Sequence, residues 1–342
     1  MQQDSEPRKS QENLNNNLSQ YDKEMTQKYQ NQISNETLVI AYNQQLKSLD
    51  FIQYMNVNEL KLSDCKNIVP KLQSYTIKQL IVKDCKILSV KDLQLEKLEV
   101  LKLLNYFQKE ESETLTFEII KFQKLKELIL SGCLNIDINP LSQMTGLNVL
   151  TLNNCDLHST EALGPLVNLL QLNLGRNKGI DITSLQRLTQ LTELWLWGCN
   201  LISLDALRPL TNLQKLYIFE NKIVYLQPLI ELKLLSELDA RCNSIVDSQT
   251  IEQLPNFVLL GLKDQKQPTQ LQLTEANILR SINFPITSLK LINGQQTYLR
   301  SQNSIFTKNI TQFIQKQNLN HQLFIARAAA IFKQMNELES CQ

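Results

Sequence analysis

The chain has 342 residues, 42% of them hydrophobic, and its 35 basic and 34 acidic side chains leave a formal net charge of +1. So even a balance gives no overall steering toward nucleic acid or anionic lipid, and no run approaches the roughly 18 apolar residues of a membrane span. The seven cysteines are an odd number without a CxxC pair or zinc-type Cys/His spacing, which points to a reducing cytoplasmic or nuclear setting and no metal.

Residues 1–20 are rich in Asn and Gln, lack the apolar stretch of a secretory signal, and are expected to be disordered. The segment "YDKEMTQKYQNQI" predicts a short helix within 21–34 that covers the N-terminal end of the folded core. From Leu125 an apolar residue then returns every 22 positions: Leu147, Leu169, Leu191, Leu213, Leu235 and Phe257. Equal steps of this kind mark an internal repeat. Each unit reads L-x-x-L-x-L-x-x-N/C-x-L or a close variant, as in "LNVLTLNNCDL", "LTELWLWGCNL" and "LQKLYIFENKI". Its central L-x-L pair extends upstream with looser spacing, to Leu38/Ile40, Leu60/Leu62, Leu80/Val82 and Leu101/Leu103. About eleven units span 35–267, with an insertion at "QKEESETLTF".

Each unit predicts one short strand whose leucines point inward. No unit buries its apolar face alone, so neighbours stack, and parallel register sets the same position of every unit in one column. Pro140, Pro165, Pro209 and Pro228 recur in the connections, where a missing N–H breaks no ladder. Cys65, Cys85, Cys133, Cys155 and Cys199 share one column with Asn43, Asn177, Asn221 and Asn243, and Tyr106 and Gln265 depart from it.

These motifs resemble the leucine-rich-repeat family, in the 22-residue class that includes the phosphatase regulator SDS22 and the bacterial internalins. After residue 267, "ANILRSINFPITSLKLINGQQ" resembles the C-terminal cap of intracellular members through Pro285, Leu289, Leu291, Asn293 and Gly294, with Thr287 and Ser288 intervening. The resemblance implies an α/β leucine-rich-repeat solenoid. It would be a curved horseshoe with a parallel sheet on the concave face, short helical or irregular connections on the convex face, and a helical cap over 268–299. It also implies that the Cys/Asn column is a buried ladder bonding the backbone of the turn after each strand, a role a thiol can fill. The alternative, a metal or redox site, has thiols stacked in a line and no histidine beside them. In the tail, 300–342, "LFIARAAAIFKQMNELE" spaces its apolar residues as a helix does, packed on the cap or free to bind a partner.

His158 and His321 fall in different elements, and no GxSxG, GxxxxGK[ST] or HExxH motif occurs. The expectation is therefore a non-enzymatic scaffold without cofactor that binds another protein, not nucleic acid or membrane. The resemblance adds two alternatives, an SDS22-like regulatory subunit of protein phosphatase 1 and an internalin-like surface adhesin. The contact surface is read from "LTELWLWGCN". Leu191, Leu194 and Leu196 point inward, so Trp195 and Trp197 point out, beside Tyr217 and Phe219 of the next unit. Arg176, Asn173, Glu193, Glu220, Glu237, Asp239 and Arg241 rim them, and the four aromatics are expected to be exposed. The competing reading is that their stacking serves stability alone.

Overall fold

A computed structural model of the chain describes residues 19–43, 48–65, 72–85, 90–104, 115–134, 136–245, 250 and 259–261. The expected cap (268–299), the helical tail (300–342), Tyr106, Gln265 and His321 lie outside the described residues. The chain divides into two compact units, Met1–Leu157 and His158–Gln342.

The first unit opens with helix α1 (Gln20–Gln30). Ser19 caps it, its hydroxyl accepting from the Asp22 N–H at 3.1 Å, and Asp22 and Lys28 suit the two ends of the helix dipole. Tyr29 is buried and stacks on Phe51 with ring centroids 5.5 Å apart, which fixes the helix against the first repeats. Strands follow at β1 (Thr37–Ala41), β2 (Glu59–Ser63), β3 (Leu72–Ser74), β4 (Gln79–Lys83), β5 (Leu93–Leu95), β6 (Val100–Leu104), β7 (Glu127–Ser131) and β8 (Val149–Thr151). The parallel sheet of this unit runs β1-β2-β4-β6-β7-β8, while β3 and β5 pair separately among the connections. The insertion predicted between β6 and β7 contains the short helix α2 (Leu115–Ile119). There the Thr116 hydroxyl donates to the Asp137 carbonyl.

The second unit holds β9 (Gln171–Asn173), β10 (Glu193–Trp195), β11 (Lys215–Tyr217), β12 (Glu237–Asp239) and β13 (Leu259–Gly261), parallel and in that spatial order. Single 3-10 turns make the connections, at Thr183–Arg187, Asp205–Leu207 and Gln227–Leu229. The 22-residue period is the reason the register does not slip: Leu172, Leu194, Leu216 and Leu238 lie in one line and are fully buried. Truncating any one of them to alanine removes apolar area from every neighbour at once, typically about 2–5 kcal/mol.

The Cys/Asn column lies where each strand turns away. Asn221 is buried and saturated: its Nδ2 donates to the Leu196 and Ile218 carbonyls at 2.8 Å, and its Oδ1 accepts from the N–H groups of Cys199 and Leu201 at 3.0 Å. Asn243 donates to Ile218 and Ala240 and accepts from Ile223; Asn177 donates to Leu174. The cysteines reach the same kind of carbonyl, Cys155 to Leu130 at 3.3 Å, Cys199 to Leu174 at 3.2 Å and Cys65 to Ser63 at 3.3 Å. Cys85 reaches Lys83 at 3.3 Å, and Cys133 is buried. Asn43 is half-buried, and its amide donates to the Tyr29 hydroxyl of α1 at 2.6 Å.

A further regularity of this column goes beyond the sequence expectation. Among the described residues, the one before each Cys or Asn of the ladder has a left-handed backbone: Tyr42, Asp64, Asp84, Gly132 and Asn154 in the first unit, and Arg176, Gly198, Glu220 and Cys242 in the second, with φ between +51° and +75°.

Burial pushes the Cys133 thiol up to about 12 and the Cys155 and Cys199 thiols up to about 11. A raised thiol pKa means that folding favours the protonated form. That stability is complete below about pH 9 and is lost as pH rises toward 11–12, at up to roughly 1.4 kcal/mol per pH unit and thiol. Denaturant midpoints should therefore fall through this window, and the slope should shrink in Cys199→Asn, which substitutes the side chain of neighbouring units. At about pH 8 the native chain should resist iodoacetamide at Cys133, Cys155 and Cys199 and label there on unfolding. Rapid native labelling would exclude the ladder.

Candidate functional site

Alternation along β9–β12 sets three rows on the open face of the second unit. Strand pairing puts Glu193 beside Lys215 and Lys215 beside Glu237. The Lys215 ammonium sits 3.4 Å and 3.9 Å from the two carboxylates. In the next row Asn173, Trp195, Tyr217 and Asp239 follow one another. Trp195 and Tyr217 stack with centroids 5.4 Å apart and planes 8° from parallel. The third row contains Gly175, Trp197, Phe219 and Arg241. Trp197 and Phe219 stack at 5.3 Å and 9°.

Cations close the ends of this third row. The Arg176 guanidinium carbon lies 4.8 Å over the Trp197 ring and that of Arg241 5.7 Å from the Phe219 ring. The order is thus cation, ring, ring, cation, and each contact adds to the area buried. Arg241 is held by Asp239 through two bonds, Nε to Oδ1 at 2.8 Å and a terminal nitrogen to Oδ2 at 2.6 Å. The Tyr217 hydroxyl donates to Glu237 at 2.9 Å; burial and that carboxylate both disfavour the phenolate and raise its pKa.

The structure brings together the four aromatics and the rim residues expected around them, with two differences. Asp239 is not a rim residue: it is only 8% exposed, because both its oxygens are taken up by Arg241. Its part is to fix that guanidinium. Trp195, Trp197, Tyr217 and Phe219 are half-buried, not freely exposed, because each ring covers the face of its neighbour. Arg176 and Glu220 are exposed, and Glu193 is half-buried beside Lys215.

Two further contributors escape the sequence reading. Lys215 is the shared cation of the first row. Gly175 is the floor under Trp197: a methyl group added there would lie 2.7 Å from Cδ1 and 2.5 Å from Cε2 of the indole, and closer still to Nε1. A glycine in an outward position, in a chain with only 8 of them, is the signal that could have found it. The open face of the first unit differs. Its middle row holds Val39, Lys61, Ile81, Lys102 and Ile129, with Lys61–Glu59 and Lys102–Glu127 ion pairs at 3.2 Å and 2.7 Å. Among the described residues no cluster of His, Cys, Asp and Glu is placed to hold a metal ion, and no helix is long and apolar enough to cross a membrane.

No protein-family model and no curated protein matches the chain. Among solved structures it is similar to an internalin of Listeria monocytogenes, at 26% identity over 67% of each chain with a TM-score of 0.55. Internalin C2 of the same bacterium matches at 23% identity over 60% of this chain and 80% of that one, TM-score 0.43. A leucine-rich-repeat protein of Leptospira interrogans matches at 22% over 71% and 75%, TM-score 0.47. The parallel sheet, its short connections and the first of these likenesses identify the fold as a leucine-rich-repeat solenoid.

Gly175→Ala should destabilise the chain by about 1–3 kcal/mol, because the wedged indole cannot yield without breaking its stack on Phe219. In a Trp197→Ala background the same change should be close to neutral. Denaturant unfolding of the four forms measures this coupling, and additive losses would show that Gly175 matters for another reason.

Proposed function

We propose that this leucine-rich-repeat chain is a non-enzymatic protein-interaction module that holds its partner on the open sheet face of the second unit, centred on Trp195 and Trp197. The observation that carries the reading is the two stacked ring pairs, half-exposed side by side within a charged rim. Trp, Tyr and Arg at the centre of a rigid surface are the groups on which binding energy concentrates. Rigidity matters as much as area: rings already stacked, and an Arg241 already clamped, lose little side-chain entropy when a partner arrives. The regular face of the first unit, with aliphatic and lysine side chains in ion pairs, has no such block among its described residues.

The wider assignments rest on the same reading. The titratable groups of the face are engaged with one another, Lys215 with Glu193 and Glu237 and Arg241 with Asp239, which suits a fixed contact surface. A cytoplasmic or nuclear setting fits the buried free thiols. A regulatory subunit of a phosphatase is the narrower form of the proposal, and an adhesin the form that the internalin likeness favours. Imaging a tagged full chain separates surface display from the cell interior, and enrichment of the phosphatase catalytic subunit on the captured chain separates regulator from general scaffold.

Because the indoles are half-buried and stacked, Trp195→Ala and Trp197→Ala should each cost folding about 1–2 kcal/mol, more than a surface change and less than a core one. Against the captured partner, each should cost about 2 kcal/mol or more of binding, roughly thirtyfold in affinity. Lys61→Ala and Lys83→Ala on the first unit should leave affinity within about threefold. Partner titrations of the folded variants check this, and undiminished binding by Trp197→Ala would remove the aromatic block from the contact surface.

A further inference from the structure

The two guanidiniums that close the Trp197–Phe219 stack are not equivalent. Arg241 has its counter-ion in its own strand, Asp239, in a two-bond clamp. At the other end of that row of the face, the position of Asp239 is occupied by Asn173, which has the same shape without the charge. The Asn173 carboxamide oxygen accepts from the Gly175 N–H at 3.0 Å. Arg176 is exposed, lies flat on Trp197, and makes no ion pair among the described residues. Its left-handed backbone, held by its N–H on the Trp197 carbonyl at 2.7 Å, directs the side chain back over the indole. Stacking occupies the guanidinium face and leaves its N–H edge free, the geometry that grips a carboxylate with two parallel bonds. Exposed Lys178 and Lys222 lie beyond it, at the same end of their strands, and make no ion pair among the described residues. The opposite end of the strands carries Glu193 and Glu237, which share Lys215.

From this asymmetry we infer that the segment seated on the Trp195–Trp197 edge is acidic, and that an Asp or Glu side chain of the partner protein pairs with Arg176 as Asp239 pairs with Arg241. This rests on the proposal that the aromatic block is a protein-binding face and adds the chemistry of what it binds. The charge layout also sets the place of the segment: its acidic residues lie over Arg176 and Lys178, and away from Glu193, Glu237 and the exposed Glu220, whose carboxylate lies across Gly198 from Arg176.

The chain supplies its own probe, since Trp195 and Trp197 are its two tryptophans. Trp-free peptides with a central leucine flanked by glutamates, glutamines, lysines or phosphoserines can be titrated into the full chain while its emission is followed. The glutamate peptide should perturb the emission and bind at least about tenfold more tightly than the glutamine one at low salt, a preference that weakens as salt is added. Arg176→Gln should abolish the preference while the chain still unfolds in a single cooperative transition, and Arg176→Lys should keep part of it. Equal binding of the glutamate and glutamine peptides, a preference that survives Arg176→Gln, or no binding by any peptide overturns the inference. Tighter binding of the phosphoserine peptide, lost in Arg176→Gln, replaces the carboxylate by a phosphate and overturns it too. In all of these cases capture of a partner that depends on Trp197 would still support the protein-binding face, whereas intact capture by Trp197→Ala would remove that face itself.

Discussion

Every row on the open face depends on the turn by which each repeat leaves its strand. The residue before the ladder position is left-handed, and its N–H donates to a carbonyl of the next repeat, as Tyr42 does to Ser63, Asp64 to Lys83, Gly198 to Phe219 and Glu220 to Arg241, at 2.9–3.1 Å. From behind, the ladder side chain bonds carbonyls of its own and the preceding repeat; Asn221 takes Ile218 and Leu196. Each turn is thus bonded on two sides, so neighbouring repeats cannot slide. Only then do side chains of successive units align well enough to stack at 5.3–5.4 Å, a little more than the roughly 4.8 Å between strands.

A left-handed backbone costs an ordinary residue about 1–2 kcal/mol, and the bonds on both sides are what over-determine it. In the first unit the column holds Asp64, Asp84, Gly132 and Asn154, types that tolerate this region, with Tyr42 the exception beside α1. In the second unit Arg176 and Glu220 stand there, on either side of Gly198, followed by Cys242. Neither has a local reason to be left-handed. Both belong to the rim of the aromatic block, and the Arg176 side chain reaches Trp197 from there. Two of the four strained positions that hold neither Gly nor Asn/Asp, Arg176 and Glu220, therefore lie on the surface proposed for binding, and Tyr42 and Cys242 are the other two.

The period made most of this legible. A step of 22 residues fixes which leucines face inward, which positions share a row, and so that Trp195 meets Tyr217 and Trp197 meets Phe219. Other features could not be read so directly. The left-handed column is hidden because Gly fills it only at Gly132 and Gly198, and the usual compositional sign is missing. The half-burial of the rings depends on their tilt against one another, which a row assignment does not contain. The Asp239–Arg241 clamp was within reach: residues two apart in a strand share a face, and opposite charges there pair before they meet a partner. Gly175 becomes meaningful only once Trp197 is seen lying over it.

Stacking also decides what a partner can touch. In the Trp197–Phe219 pair the inner faces cover each other and the outer ones are covered by Arg176 and Arg241, so the edges are what remain open. Ring edges carry the positive side of the aromatic quadrupole. The pyrrole end of Trp197 is already occupied, because it lies against Gly175. A second aromatic face has little to gain against that surface, whereas carbonyl and carboxylate oxygens are attracted to the remaining ring edges and to the Arg176 guanidinium. The same stacking that withdraws the ring faces from solvent therefore leaves ring edges and guanidiniums as what the Trp197–Phe219 row presents.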